Sequence, residues 1–256
     1  MNSLTDLNHA DVSLPQAVRW VEPSTREIAD ALLDAAALPA GARVLDVGAG
    51  TGPLVVAAAE RGYEVVGVDN APLTATYLRG RVAPYPLATA DLAEATALPY
   101  PAASFDAAFS VLAVMYAGPE ALTEMRRVVR PGGTVAIVHW AKPTMSPLIK
   151  ILWEEGPELA VDLPHLGPEG FAAALTGAGF TDVRVEPISA GYSLPAADEY
   201  LLEFQPFVAT FPAFRTMTPA RRAHLETALA ERVRRIETGQ EPMPTFDANV
   251  AWARVG

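Results

Sequence analysis

Short apolar runs alternate with segments of helical hydrophobic spacing over the first half of the chain. The runs that predict buried strands lie at residues 43–48, 64–69, 86–91, 105–114 and 133–140. Between them, stretches such as 121–129 repeat their apolar residues with the helical period. Alternating strands and helices over residues 26–140 are typical of right-handed βαβ units, so the sequence predicts a parallel sheet with helices on both faces.

The pattern changes after residue 140. A helix ending at glycine precedes a predicted strand at 181–188, and the last predicted strand lies at 246–255. The nearly sixty residues between these two strands are too many for a loop, and they show helical spacing. The predicted parts are therefore an N-terminal segment at 1–25, an α/β domain at 26–188 with 245–256, and an inserted helical cap at 189–244. The first helix of the domain is predicted to take Ser24 or Thr25 as its N-cap.

Composition narrows the classes of function. The chain of 256 residues carries a net charge of −11, whereas nucleic-acid-binding proteins carry a basic surface, so we expect no nucleic-acid partner. It has no cysteine, and no grouping of His, Asp and Glu has metal-ligand spacing, so we expect no metal. We find neither a signal peptide nor an apolar run long enough for a bilayer. We expect a cytoplasmic protein without a membrane partner, and a homodimer stays open.

The segment "VLDVGAGTGPL", residues 44–54, has glycine at 48, 50 and 52 directly after a predicted strand. Glycine lets a backbone turn sharply and pass close to a ligand. The dinucleotide fingerprint needs glycine at position 53, where this chain has Pro53, and no lysine follows as in a phosphate-binding P-loop. A plain tight turn is the alternative to a ligand-binding turn.

Two acidic residues stand at the ends of neighbouring predicted strands. Asp69 ends the second strand, where a carboxylate can accept hydrogen bonds from the two hydroxyls of a ribose. Asp91 ends the third strand and could accept from the exocyclic amine of adenine. The alternative for each acid is a solvated or capping residue.

The motifs "VLDVGAGTG", "GVD", "LPYPAASFD" and "RVVRPGGTVAI" occur in this order. Together they resemble class I S-adenosylmethionine-dependent methyltransferases, in particular the small-molecule group that includes quinone-ring methyltransferases. The resemblance covers residues 26–140 and returns at the last two strands. It implies a doubly wound, Rossmann-like α/β sheet of seven strands with the last one antiparallel, and S-adenosylmethionine as cofactor. The cap would then cover the substrate pocket.

The resemblance also implies which residues hold the cofactor. The glycine turn would lie against its methionine part, with Asp46 orienting that region and Ser110 near the methionine amine. Asp69 would hold the ribose, and the adenine would meet Asn70 and the third strand. The residues so implied are Asp46, Gly48, Ala49, Gly50, Gly52, Asp69, Asn70, Asp91, Leu92 and Ser110.

The acceptor side is less determined by sequence. Methyl transfer from a sulfonium needs the nucleophile in line within a dry pocket, so no residue type is obligatory. Many relatives carry a histidine pair after the fourth strand, whereas this chain has Met115 and Tyr116 there. His139 at the end of the fifth strand is the candidate general base, with a structural role as the alternative.

Apolar and aromatic residues predict the character of the acceptor. Those assigned to the substrate pocket are Met115, Tyr116, Trp140, Tyr200 and Phe204, although the aromatic stripe of the cap could equally form its core. We therefore expect methyl transfer to an O, N or C atom of a small apolar or aromatic molecule. The alternative is a repurposed fold that binds the cofactor but catalyses a cyclisation, or that only binds. Pro53 disfavours a nicotinamide oxidoreductase.

Overall fold

The computed structural model describes residues 17–141, 147–157, 167–192, 194–200 and 212–256. The strands are β1 (Arg43–Val47), β2 (Glu64–Asp69), β3 (Ala88–Leu92), β4 (Phe105–Val111), β5 (Val129–Trp140), β6 (Phe180–Ala190) and β7 (Phe246–Val255). The helices are α1 (Glu22–Ala36), α2 (Pro53–Glu60), α3 (Pro72–Val82), α4 (Pro119–Val128), α5 (Pro147–Glu155), α6 (Gly167–Gly177), α7 (Pro212–Thr216) and α8 (Pro219–Glu237).

All seven strands form one sheet in the order β3-β2-β1-β4-β5-β7-β6. β1 pairs in parallel with both β2 and β4, and β7 runs antiparallel to β5. The predicted doubly wound sheet with an antiparallel last strand is therefore confirmed. The strand order reverses between β1 and β4, and ligands of open α/β sheets bind at the carboxyl edge beside such a reversal.

The sheet is buried because its central strands are apolar on both faces. Because helices cover both faces of the sheet, successive residues of these strands are apolar, and the sequence does not alternate between apolar and polar positions. One face packs against α4 and α6, and its buried members include Leu45, Val47, Ala108, Met125, Val135, Ile137, Phe171 and Leu175. This packing holds the carboxyl ends of the strands in place, and the residues of the candidate site lie at those ends.

The predicted N-cap of the first helix is wrong. α1 begins at Glu22, directly after a π-helical turn at Ala17–Val21, so Ser24 lies inside the helix. Its buried hydroxyl donates to the carbonyl oxygen of Gly191 (2.6 Å) and thus serves a tertiary contact. The start of β5 also differs from the prediction, because the strand begins at Val129 and the register with β4 shifts before Thr134.

The chain divides into two compact units. One holds the sheet and comprises Thr25–Ala141, Leu166–Ala190 and Asp247–Gly256. The other comprises the described residues of Met1–Ser24, Lys142–His165 and Gly191–Phe246. Within the described residues, no helix is long and apolar enough to cross a membrane. The role of residues 189–244 as a cap over a pocket stays a prediction.

Within the second unit, Arg232 joins α8 to the end of α5. Its guanidinium pairs with Glu154 (2.6 Å), Glu155 (3.5 Å) and Glu241 (2.9 Å). Its side chain is only 15% exposed, so solvent screens these ion pairs less than it screens surface pairs. α8 also has an apolar side, on which the buried residues include Leu225, Leu229, Val233 and Ile236.

Candidate active site

The glycine turn after β1 is held by the neighbouring strand. The N–H groups of Gly48 and Ala49 both donate to the carbonyl oxygen of Val68 on β2 (2.9 and 2.8 Å). Gly48 has a φ of +73°, and a Cβ at this position would collide with the side chain of Ala113 after β4. Gly48 therefore allows the turns after β1 and β4 to touch.

Gly50 differs from the other glycines of this turn. It also has a positive φ (+55°), but a Cβ added here would meet no atom within 4 Å. Packing does not require glycine at this position, although the backbone conformation favours it. Gly52, by contrast, is buried at the start of α2, and a Cβ there would collide with Leu78. The turn therefore has open space beside Gly50. At Gly52, glycine is required because the start of α2 packs closely against Leu78.

Asp69 ties the turn to the end of β2. One carboxylate oxygen accepts from the N–H of Gly50 and the other from the N–H of Ala71, both at 3.0 Å. A carboxylate has lone pairs for about four hydrogen bonds, so two acceptor positions remain for a ligand. The side chain is only partly buried, which leaves it accessible.

Asp46 lies buried one residue before the end of β1, and 2% of it is exposed. Burial raises the pKa of its carboxyl to about 8, and repulsion from the Asp69 carboxylate adds to this shift. A cation placed beside these two carboxylates would relieve both causes. The ammonium and sulfonium groups of S-adenosylmethionine are cations of this kind.

The edge at β3 presents one carboxylate and exposed neighbours. Asp91 is partly buried, Leu92 is 48% exposed, and Asn70 is exposed with its amide donating to Glu94 (3.2 Å). One oxygen of Asp91 accepts from the hydroxyl of Tyr100 at 2.8 Å. Tyr100 is not among the site residues predicted from the sequence, although it lies inside the "LPYPAASFD" motif.

The structure places the hydroxyl of Ser110 in a packing contact. Ser110 is fully buried on β4; its hydroxyl donates to the carbonyl oxygen of Val47 (2.8 Å) and accepts from the N–H of Val114 (3.1 Å). These bonds join β1 to the turn after β4. The predicted place of Ser110 near the methionine amine stays a prediction, since a hydroxyl that donates once and accepts once has one more lone pair for a donor.

The turn after β4 brings two of the predicted substrate residues together. Leu112 adopts a φ of +59°, a conformation that bulky residues rarely take and that concentrates at functional sites. A short 3-10 helix at Val114–Tyr116 follows, in which Met115 is partly buried and Tyr116 is 38% exposed. Tyr116 and Trp140 share a side-chain hydrogen bond, in which the indole N–H donates because it has no acceptor.

His139 is enclosed in packing. It is 4% exposed, its ring stacks on Phe171 of α6 with 4.3 Å between the centroids, and its Nε2 atom is closed to solvent. Its Nδ1 atom lies 3.1 Å from the carbonyl oxygen of Trp140, which can only accept, so Nδ1 carries the proton. This geometry favours the structural alternative over the general base, whose assignment stays a prediction.

The structure places two aromatic residues of the predicted cap in core positions. Tyr200 is fully buried, and Phe214 is 6% exposed with the guanidinium of Arg222 above its ring. The place of Tyr200 in a substrate pocket stays a prediction. Phe204 lies outside the described residues.

Comparison with known proteins agrees with the site. Residues 45–137 match a protein family described as a methyltransferase domain. The chain is 36% identical over 151 residues to the malonyl-(acyl-carrier protein) O-methyltransferase of Salmonella typhimurium, a match covering 58% of this chain and 59% of that protein. The chain spans about three fifths of the length of the curated relatives that it matches.

Solved structures share the fold. A phosphoethanolamine N-methyltransferase of Haemonchus contortus, solved with S-adenosylhomocysteine, superposes with a TM-score of 0.61 at 19% identity, covering 98% of this chain and 58% of that one. The cyclase SpnF superposes with a TM-score of 0.51 at 21% identity, covering 88% of this chain and 80% of its own. At such identities the likeness is one of fold.

The sheet order, the turn open at Gly50 and the strand-end carboxylates agree with a nucleotide-binding domain of the methyltransferase type. The match over residues 45–137 lies within the sheet-containing unit, and this unit has the Rossmann-like fold of class I S-adenosylmethionine-dependent methyltransferases. The cofactor of this class is S-adenosylmethionine, and the residues present fit it. The open space lies at Gly50, and the buried carboxyl of Asp46 can face a cation.

Proposed function

We propose that this protein transfers a methyl group from S-adenosylmethionine to an O, N or C atom of a small apolar or aromatic molecule. One observation carries the proposal: the glycine turn, which is predicted to hold the cofactor, touches the turn after β4. That turn carries Tyr116, which forms an aromatic pair with Trp140 at the end of β5. Gly48 lies against Ala113, and the segment after Ala113 leads directly to Tyr116. Two halves of a transfer site would thus adjoin at the edge where the strand order reverses.

The cofactor supplies the methyl group on a positively charged sulfur. An acceptor lone pair forms the new bond to carbon while the electron pair of the carbon–sulfur bond returns to sulfur. The protein has to hold the acceptor in line with that bond and exclude water, because proximity supplies most of the rate. Tyr116 and Trp140 would offer aromatic faces to an apolar acceptor and to the cationic centre.

A base is required only when the acceptor must lose a proton. The enclosed His139 makes acceptors that need no base the better fit, such as an anionic oxygen or an activated carbon. The alternative of a cyclising or merely binding protein has no specific support among the described residues. The cyclase that shares the fold shows only that this fold also serves another reaction.

Transfer of a labelled methyl group tests the proposal. The purified protein is first examined by mass spectrometry for a co-purified S-adenosyl ligand, then incubated with methyl-labelled S-adenosylmethionine and a panel of phenols, quinols, amines and sugar phosphates. We expect label in an apolar or aromatic acceptor. Binding of the cofactor without label in any acceptor would favour the non-methylating alternative, and label in sugar phosphates alone would contradict the acceptor class.

A matched pair of variants ties the acceptor to the aromatic pair. Tyr116→Ala should raise KM for the acceptor about tenfold through lost aromatic contact and leave cofactor affinity unchanged. Tyr85→Ala is the control, because Tyr85 precedes β3 and so lies at the amino ends of the strands, away from the carboxyl ends where the site lies. Equal acceptor KM values in the two variants would remove Tyr116 from the pocket.

A further inference from the structure

Tyr100 lies in the connection between β3 and β4 and donates its hydroxyl proton to one oxygen of Asp91, at 2.8 Å. Burial raises the pKa of Tyr100, and the neighbouring carboxylate raises it further. The hydroxyl therefore keeps its proton and remains a donor over the working pH range. One oxygen of the carboxylate is thereby held by the protein itself.

The ring of Tyr100 is fixed by its neighbours. It meets the buried ring of Phe105 edge to face, with 5.1 Å between the centroids and 86° between the planes. Phe105 is 1% exposed and lies beneath the guanidinium of Arg43 (4.5 Å). The phenol can therefore not swing away from Asp91 without breaking core packing.

The backbone beside the ring is fixed as well. Arg127 of α4 donates to the carbonyl oxygens of Tyr100 (2.6 Å) and Leu98 (2.9 Å). Glu124 pairs with Arg127 (2.7 Å) and accepts from the N–H of Leu98 (2.9 Å). This clamp ties the connection to α4, so the hydroxyl of Tyr100 is held from both its ring and its backbone.

We propose that Tyr100 is a positioning residue that sets the preference for adenine by orienting the carboxylate of Asp91. The inference rests on the proposed function and on the predicted place of the adenine at the end of β3. With one oxygen held, the carboxylate cannot rotate, and its other oxygen can meet the exocyclic amine of adenine. A 6-oxo purine would bring a carbonyl oxygen to the same carboxylate, and two acceptors repel.

Calorimetry with two probes tests this role. S-adenosylhomocysteine carries the amine, and S-inosylhomocysteine carries a carbonyl in its place. Tyr100→Phe should weaken binding of the adenosyl probe about tenfold and change binding of the inosyl probe less than about twofold, since only the first uses the oriented carboxylate. In turnover, KM for S-adenosylmethionine should rise while kcat is unchanged, because the hydrogen bond is equal in the ground and transition states.

Tyr85→Phe is the matched control. Tyr85 also donates to a carboxylate, that of Glu60 (3.3 Å), before β3 at the other edge of the sheet. Removing this hydroxyl should leave both affinities unchanged. In an Asp91→Ala background, Tyr100→Phe should cause no further loss, because the phenol acts through that carboxylate.

The possible outcomes distinguish failure of the positioning role of Tyr100 from failure of the proposed function. Equal weakening of both probes by Tyr100→Phe, or a further loss in the Asp91→Ala background, would overturn the positioning role and leave the proposed function intact. A native protein that binds neither probe would instead overturn the proposed function, and the inference with it.

Discussion

At the ends of β1 and β2 the site is built from backbone, whereas at the ends of β4 and β5 it is built from packed side chains. On the first side, the N–H of Gly50 donates to Asp69, and no atom lies within 4 Å of a Cβ added at Gly50. On the second side, Ser110 and His139 have their polar atoms turned into packing. Residues required by a backbone conformation can be identified from spacing, but the role of a side chain depends on its neighbours.

Substitution of Gly50 should cause the largest loss of cofactor affinity. Gly50→Val places a branched side chain in the space assigned to the methionine part, and we expect at least about 100-fold weaker binding of S-adenosylhomocysteine, a loss of roughly 2.7 kcal/mol. Calorimetry measures the affinity, and thermal melting measures the stability.

A matched control separates steric exclusion from backbone strain. Gly62 also has a positive φ (+78°) with no atom within 4 Å of an added Cβ, but it lies in the turn between α2 and β2 at the other end of the sheet. Gly62→Val should cause a similar loss of stability with unchanged affinity. Native affinity in Gly50→Val would show that the ligand lies elsewhere.

Removal of the Asp69 carboxylate should have the next largest effect. Asp69→Ala deletes the predicted acceptor for a ribose and also removes the acceptor of the N–H groups of Gly50 and Ala71. Binding should weaken by about 1–3 kcal/mol, the range for a lost hydrogen bond to a charged group. The native protein should not bind NAD, and calorimetry showing NAD binding without binding of an S-adenosyl ligand would contradict the cofactor assignment.

Sequence patterns located the sheet because its strands are apolar on both faces. The strand at Phe246–Val255 has the predicted bounds, since its burial is nearly continuous. The N-cap at Ser24 was wrong because α1 begins at Glu22, directly after a π-helical turn. Local patterns do not contain such a tertiary arrangement.

In the candidate site, too, local sequence patterns predicted positions along the chain but not tertiary contacts. The motif acids lie at the carboxyl ends of strands, so their positions at the sheet edge could be predicted from the order of elements. The hydrogen bond between Tyr100 and Asp91 could not, because it depends on how the connection packs on α4 and Phe105. The burial of His139 likewise depends on Phe171, which is distant in sequence.

The raised pKa of Asp46 predicts a pH dependence that only the cofactor side should show. Below about 8 its carboxyl is protonated in the free protein, and a cationic ligand favours the ionised form, so binding releases a proton. Affinity for S-adenosylmethionine should therefore rise with pH up to about 8, by at most about tenfold per unit for one proton, and level off above it. Calorimetry in buffers of different ionisation enthalpy measures the released proton.

Stability of the free protein should change in the opposite direction. The folded state binds this proton more tightly than the unfolded state, whose pKa for Asp is about 3.9. The contribution of Asp46 to the free energy of unfolding should fall as pH rises between about 4 and 8 and stay level above that. Asp46→Asn cannot titrate and should flatten both profiles; unchanged profiles in this variant would assign the proton to another group.

The smallest effect on turnover is expected on the acceptor side, at His139. Its stacked ring and buried Nε2 atom favour a packing role, so His139→Ala should lower the free energy of unfolding by about 2–4 kcal/mol through the cavity it leaves. Turnover at saturating substrate should stay within about threefold, because proximity and not a base would drive the transfer.

His139→Phe keeps an aromatic ring against Phe171 and should recover part of the lost stability. A loss of about 100-fold in both variants, with loss of the acid limb of the pH–rate profile, would instead establish His139 as the general base. In that case the role of a side chain at the end of β5 could have been predicted from its residue type and position. The two sides of the site would then differ less in how well the sequence predicts them than their packing indicates.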